Sequence, residues 1–110
     1  MTPISGYRIM WLMVMFDLPV QTKAEVKAAN DFRHYLLDHG FEMCQFSVYA
    51  KFIGERDNAP SYVNRIKSAL PANGKVSILN FTDKQFSEII NFENRKVTVP
   101  KKTPDQLVLL

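Results

Sequence analysis

The 110-residue chain has one cysteine, Cys44, so no disulfide can form within it. That usage suits a reducing compartment, and a lone cysteine in an apolar stretch is expected to be a small buried side chain. The four glycines, Gly6, Gly40, Gly54 and Gly74, never cluster, which excludes a glycine-rich phosphate loop. No Gly-x-Ser-x-Gly occurs and Ser47 has no evident base partner, so a hydrolase triad is not supported. The two histidines, His34 and His39, are five apart on one expected helix, the wrong spacing for a shared face, and no cysteine or acid pair completes a zinc set. The longest apolar run, residues 9–16, is far short of the ~20 residues a membrane helix needs. Residues 1–8 lack the charged head and cleavage site of a signal peptide. A cytoplasmic protein without membrane contact is expected.

What is present is a chain long enough for one compact domain and too short for two. Apolar residues make up 46% and charged residues 23%, an ordinary globular balance, with eight Phe. Fourteen Lys and Arg against eleven Asp and Glu give a net charge of +3. The resulting pI near 9.1 suits an anionic partner without requiring one.

The run 9–16 is continuous, short and bounded by Arg8 and Asp17, the pattern of a strand buried on both faces, and Pro19 confirms its end. Thr22-Lys23-Ala24-Glu25 fits a capping box, so a helix starts there. Ala28 or Ala29, Phe32, Tyr35 and Leu36 form its inner stripe, and Gly40 supplies the left-handed residue at its end. Residues 41–52 alternate strictly, with Cys44, Phe46, Val48, Ala50 and Phe52 on one side. One long strand or two strands joined by a tight hairpin near 45–47 both satisfy that pattern. Pro60 opens a second helix whose inner face carries Tyr62, Val63, Ile66, Ala69 and Leu70, and Pro71 ends it. Asn73-Gly74 is a turn, 76–81 a strand, and 82–86 a helical turn with a Thr-x-x-Gln cap. Further strands are expected over 88–92 and 97–99, followed by a polar tether and an apolar end.

The order strand, helix, bent or doubled strand, helix, strand is that of an α+β, ferredoxin-like split βαβ sandwich with both helices on one face of an antiparallel sheet. A C-terminal extra strand follows. Residues 1–100 form the expected domain, and 101–110 a tail that docks on a partner or on the sheet edge. The first strand is apolar on both parities, Ile9, Trp11, Met13 and Met15 against Met10, Leu12, Val14 and Phe16. Burying each such side chain is worth ~1.5–3 kcal/mol, so the face without helices needs a cover. A homodimer with facing sheets is the simplest cover, and the chain's own tail is the alternative. Asp17 shares parity with Trp11 and Met13 at the strand's end. Two copies of it near a two-fold axis would suit one Mg²⁺ or Mn²⁺ with waters. The plain alternative is a strand-end acid bonding the turn amides after it.

Phe16-Asp17-Leu18-Pro19 after an apolar strand, then Gly40-Phe41 and Gln45-Phe46-Ser47-Val48-Tyr49, resemble the CRISPR-associated protein 2 family, especially its small version from type II systems. Thr82-Asp83-Lys84-Gln85-Phe86 and the ending 106–110 extend the match over nearly the whole chain. The resemblance implies a ferredoxin-like homodimer held between two dimers of the CRISPR integrase. There it would act as a spacer and a clamp on short duplex DNA during insertion into the array, while the integrase performs strand transfer. It also implies a hairpin at 45–48. Some family members are described as metal-dependent endonucleases, for which Asp17 is the metal and catalytic residue here, the ion activating water against a phosphodiester. Lys23, Lys27, Arg33, Arg56, Arg65 and Lys67 are candidate phosphate contacts, with Arg95, Lys96, Lys101 and Lys102 near the tail. A solvated surface explains each one singly. Used together on duplex DNA they would give a log–log salt slope of about −0.9 per phosphate neutralised. Without aromatic interleaving, contact is expected to be independent of base sequence.

Overall fold

The computed structural model describes residues 9–98. The expected tail 101–110, the candidate contacts Lys101 and Lys102 and the first eight residues lie outside it. Four strands, β1 (Ile9–Asp17), β2 (Glu42–Gln45), β3 (Val48–Glu55) and β4 (Lys75–Thr82), form one antiparallel sheet in the order β2-β3-β1-β4. Helix α1 (Lys23–Asp38) connects β1 to β2, and α2 (Ala59–Ser68) connects β3 to β4. Each helix therefore joins two strands with a third lying between them, an α+β arrangement compatible with the ferredoxin-like split βαβ. A short helix α3 (Asp83–Ser87) and a separate hairpin of β5 (Asn91–Glu93) and β6 (Lys96–Thr98) follow.

Local sequence explains most of these boundaries. Thr22 Oγ1 accepts the Glu25 amide at 3.1 Å while the Glu25 carboxylate accepts the Thr22 amide at 3.0 Å, closing the capping box that starts α1. Gly40, at φ +86°, takes the left-handed conformation just past the helix. The alternating run 41–52 resolves into two strands: the chain reverses at Phe46-Ser47, where Ser47 adopts φ +66°. The turn and a register shift between Met43 and Gln45 break the alternation. β2 is an edge strand whose four residues are all exposed, Cys44 among them, a correction to its expected burial. Residues 88–90 are not strand, and the strand expected over 88–92 is instead β5, paired with β6 through Phe92 opposite Val97. Leu70 lies beyond the end of α2 and is exposed.

The main core fills the space between sheet and helices. Met10, Leu12, Val14 and Phe16 of β1 and Tyr49 and Ile53 of β3 meet Phe32 and Leu36 of α1 and Ile66 of α2. Phe16 packs edge-on to Phe32 at 5.3 Å and stacks on Tyr49 at 5.6 Å. On the opposite face Trp11, Met13 and Met15 lie beside Phe52, Ala50 and Val48 of β3 and beside Phe81, Leu79 and Ser77 of β4. Among the described residues, the Trp11 end of this face is covered by a helix of the same chain. That helix is α3: Phe86 stacks on the indole at 3.9 Å, and Trp11 Nε1 donates to Asp83 Oδ1 at 2.7 Å. Among the described residues nothing closes the remainder, with Met13 and Met15 half-buried and Leu79 49% exposed.

Candidate metal and nucleic-acid site

Three turns converge at one end of the sheet. β1 leaves it at Asp17, the β2–β3 hairpin reverses at Phe46-Ser47, and β4 enters at Lys75. The Phe16 amide donates to the Ser47 carbonyl at 3.0 Å, tying the hairpin to the strand end that carries the acid. Gly74 closes the third side at φ +96°. A Cβ there would sit 2.8 Å from the Asp17 carbonyl oxygen, 2.8 Å from Leu18 Cδ2 and 3.0 Å from Pro19 Cδ. Glycine is thus required both for its backbone conformation and for its close approach to the Asp17–Pro19 segment.

The Asp17 side chain is exposed, and among the described residues nothing hydrogen-bonds or ion-pairs with its carboxylate. The alternative of a strand-end acid anchored to turn amides is therefore not what the structure contains. Directly across the ladder stands Lys75, on the same face. Reading the sequence alone missed this cation. Its signal was available only once the β1–β4 register fixed the first residue of β4 opposite the last of β1.

Among the described residues there is no group of three His, Cys, Asp or Glu side chains able to hold a metal ion. Mg²⁺ demands near-octahedral oxygen ligation, commonly one or two carboxylates completed by water. Among the described residues Asp17 suits one such ligand, since neither of its carboxylate oxygens is bonded. His34 is exposed on α1, and His39 caps that helix with Nδ1 2.8 Å from the Tyr35 carbonyl oxygen and its ring stacked on Tyr35 at 4.0 Å.

The expected phosphate contacts fall in separate places. Lys23 and Lys27 lie exposed on α1, and Lys27 is paired to Asp31 at 2.7 Å with both side chains in water. Such an exposed pair contributes little and opens readily. Arg33 turns toward the hairpin, where its Nε donates to the Tyr49 hydroxyl at 2.9 Å and its guanidinium lies 5.7 Å from the centre of the Phe46 ring. Arg56 sits in the turn before α2, on an open groove with Asp57, Asn64 and Asn80. Arg65 lies over the Tyr62 ring at 5.7 Å, and Lys67 is exposed in the last turn of α2. Lys51, hidden in the alternating run, also reaches that ring, at 5.6 Å. Arg95 and Lys96 are exposed at the β5–β6 hairpin. The structure thus brings Arg65 and Lys51 together around Tyr62 and leaves the other candidates apart.

A family model described as CRISPR associated protein Cas2 matches residues 10–89, which include the main sheet except Ile9, both long helices and α3. The chain belongs to the Cas2 family. It is 51% identical over 106 residues to a protein named CRISPR-associated endoribonuclease Cas2 from Paracidovorax avenae, covering 96% of this chain and 98% of the relative. A Cas2 relative of the same name from Flavobacterium psychrophilum is 43% identical, covering 98% and 94%. Another, from Streptococcus mutans, is 36% identical, covering 92% and 93%. Cas2 membership agrees with the resemblance carried by Phe16-Asp17-Leu18-Pro19 and Gln45-Phe46-Ser47, two motifs that the fold places at the same end of the sheet.

Proposed function

We propose that the chain acts in CRISPR adaptation as a homodimeric scaffold, bridging integrase dimers and clamping short duplex DNA for insertion into the array. The observation that carries this reading is the sheet face opposite the helices. Its Trp11 end is closed by α3, while Met13, Met15, Val48 and Leu79 are left for a second copy. A self-complementary patch of this kind is what a two-fold interface uses. In the scaffold reading Asp17 serves position rather than chemistry, and among the described residues it belongs to no cluster of three metal-ligating side chains. DNA is held through the backbone by the exposed cations of α1 and α2, and the protein works in the cytoplasm beside its target array.

The relatives' name favours a second reading, a Mg²⁺- or Mn²⁺-dependent endonuclease. Two Asp17 carboxylates, one per copy, would hold the ion. The ion would supply charge neutralisation and water activation at a phosphodiester. The chain's own contribution would be to present an unencumbered carboxylate on a strand end fixed by Gly74 and the Ser47 carbonyl.

Reconstitution with the cognate integrase separates the two. Under the scaffold reading Asp17→Ala supports insertion of short duplexes at a rate within about twofold of wild type. Loss of insertion from an intact complex would assign the acid an essential role. RNA or DNA cleavage by the protein alone, abolished by both Asp17→Ala and chelator, would establish the nuclease.

A further inference from the structure

The hairpin tip is built in an unusual way. Phe46 is 81% exposed, the most exposed large apolar side chain among the described residues. Its neighbour Ser47 holds φ +66°, a conformation that non-glycine residues adopt at a cost. The strain is maintained by the Phe16 amide bonded to the Ser47 carbonyl and leaves the ring projecting from the sheet end. Against that ring lies Arg33, its Nε fixed by the hydroxyl of the fully buried Tyr49. Only one of the guanidinium's five N–H donors is used in that bond, so both terminal nitrogens remain for a ligand.

The geometry points to Phe46 and Arg33 as a seat for one unpaired nucleotide of a nucleic-acid strand, the base stacking on the ring and a flanking phosphate meeting the guanidinium. This rests on the nucleic-acid reading above and extends it from backbone clamping to recognition of an unpaired nucleotide. A flat π-face exposed beside a held cation is the combination by which proteins bind single strands without reading sequence. The seat lies at the end of the sheet that carries Asp17, so a strand held there would pass the carboxylate of the nuclease reading. A net charge of +3 favours a polyanion over an acceptor-poor apolar peptide.

The test measures binding of the full chain to a short single strand carrying 2-aminopurine, made as DNA and as RNA, and to a blunt duplex. Stacking predicts quenching of 2-aminopurine on binding. It also predicts about a tenfold weaker affinity of Phe46→Ala for both single strands, with blunt-duplex affinity unchanged. Phe46→Trp, which keeps a π-face, retains wild-type affinity, and circular dichroism verifies folding of each variant. Single-strand affinity untouched by Phe46→Ala, or absence of quenching in the bound wild type, overturns the seat while leaving duplex clamping intact. Failure of the wild type to bind any of the three probes overturns both. If Phe46→Ala instead abolishes self-association or integrase co-purification at unchanged single-strand affinity, the tip is a protein contact and the seat is wrong.

Discussion

At the scale of single residues, the acid and its support are separable. Asp17 is exposed and unbonded, so Asp17→Ala should change stability by no more than about 0.5 kcal/mol. Gly74→Ala removes no functional group, yet its methyl would be forced against the Asp17 carbonyl and Leu18 at a left-handed backbone position. A loss of about 1–3 kcal/mol is expected, measured as a lowered urea midpoint with an unchanged slope. The two variants together distinguish an acid kept for function from a segment kept for shape. The position of Asp17 at the close of β1 was legible from the apolar run that ends there. The glycine that fixes it was not, because Asn73-Gly74 reads only as a turn until the packing shows what lies against it. Lys51 escaped notice for a related reason. Alternation marks which side of a strand a residue takes, and says nothing of an ammonium group lying over Tyr62.

At the scale of elements, the capping boxes announced α1 and α3 from four residues each, since Thr22 with Glu25 and Thr82 with Gln85 satisfy the same orphan amides wherever they occur. The role of α3 was not legible. It depends on a hydrogen bond between residues 72 apart in sequence, Trp11 to Asp83, and on a ring stack that no local pattern encodes. Asp83→Ala should leave the indole N–H without its partner and loosen α3 from the sheet. Because Trp11 is the one tryptophan, its emission should shift to longer wavelength, with a stability loss of about 1–3 kcal/mol. Emission identical to wild type would show that α3 does not depend on this bond. The hairpin at Phe46-Ser47 lies between these cases. Periodicity permits it, the resemblance to the CRISPR-associated protein 2 family places it, and Cys44 is exposed because β2 lies at the sheet edge with all four residues in water.

At the scale of the whole molecule, the sheet is half answered by its own chain. The helices bury one face and α3 buries one end of the other, and among the described residues an apolar remainder is left around Met13, Met15 and Leu79. Leu79 contributes little to the single subunit because it is 49% exposed. Leu79→Lys should therefore leave the subunit folded while weakening self-association at least tenfold, since two copies each bring an unpaired charge to the interface. The doubly apolar β1 made this face visible from sequence, although its strict parity overstated the exposed area by including Trp11.

Sedimentation equilibrium of the full chain over a wide concentration range, wild type beside Leu79→Lys, tests this account most directly. Wild type should sediment with twice the 12.7 kDa subunit mass and the variant with the single mass. A folded wild type that stays at the single mass at every concentration would contradict the shared face and, with it, the bridging role and the paired acid.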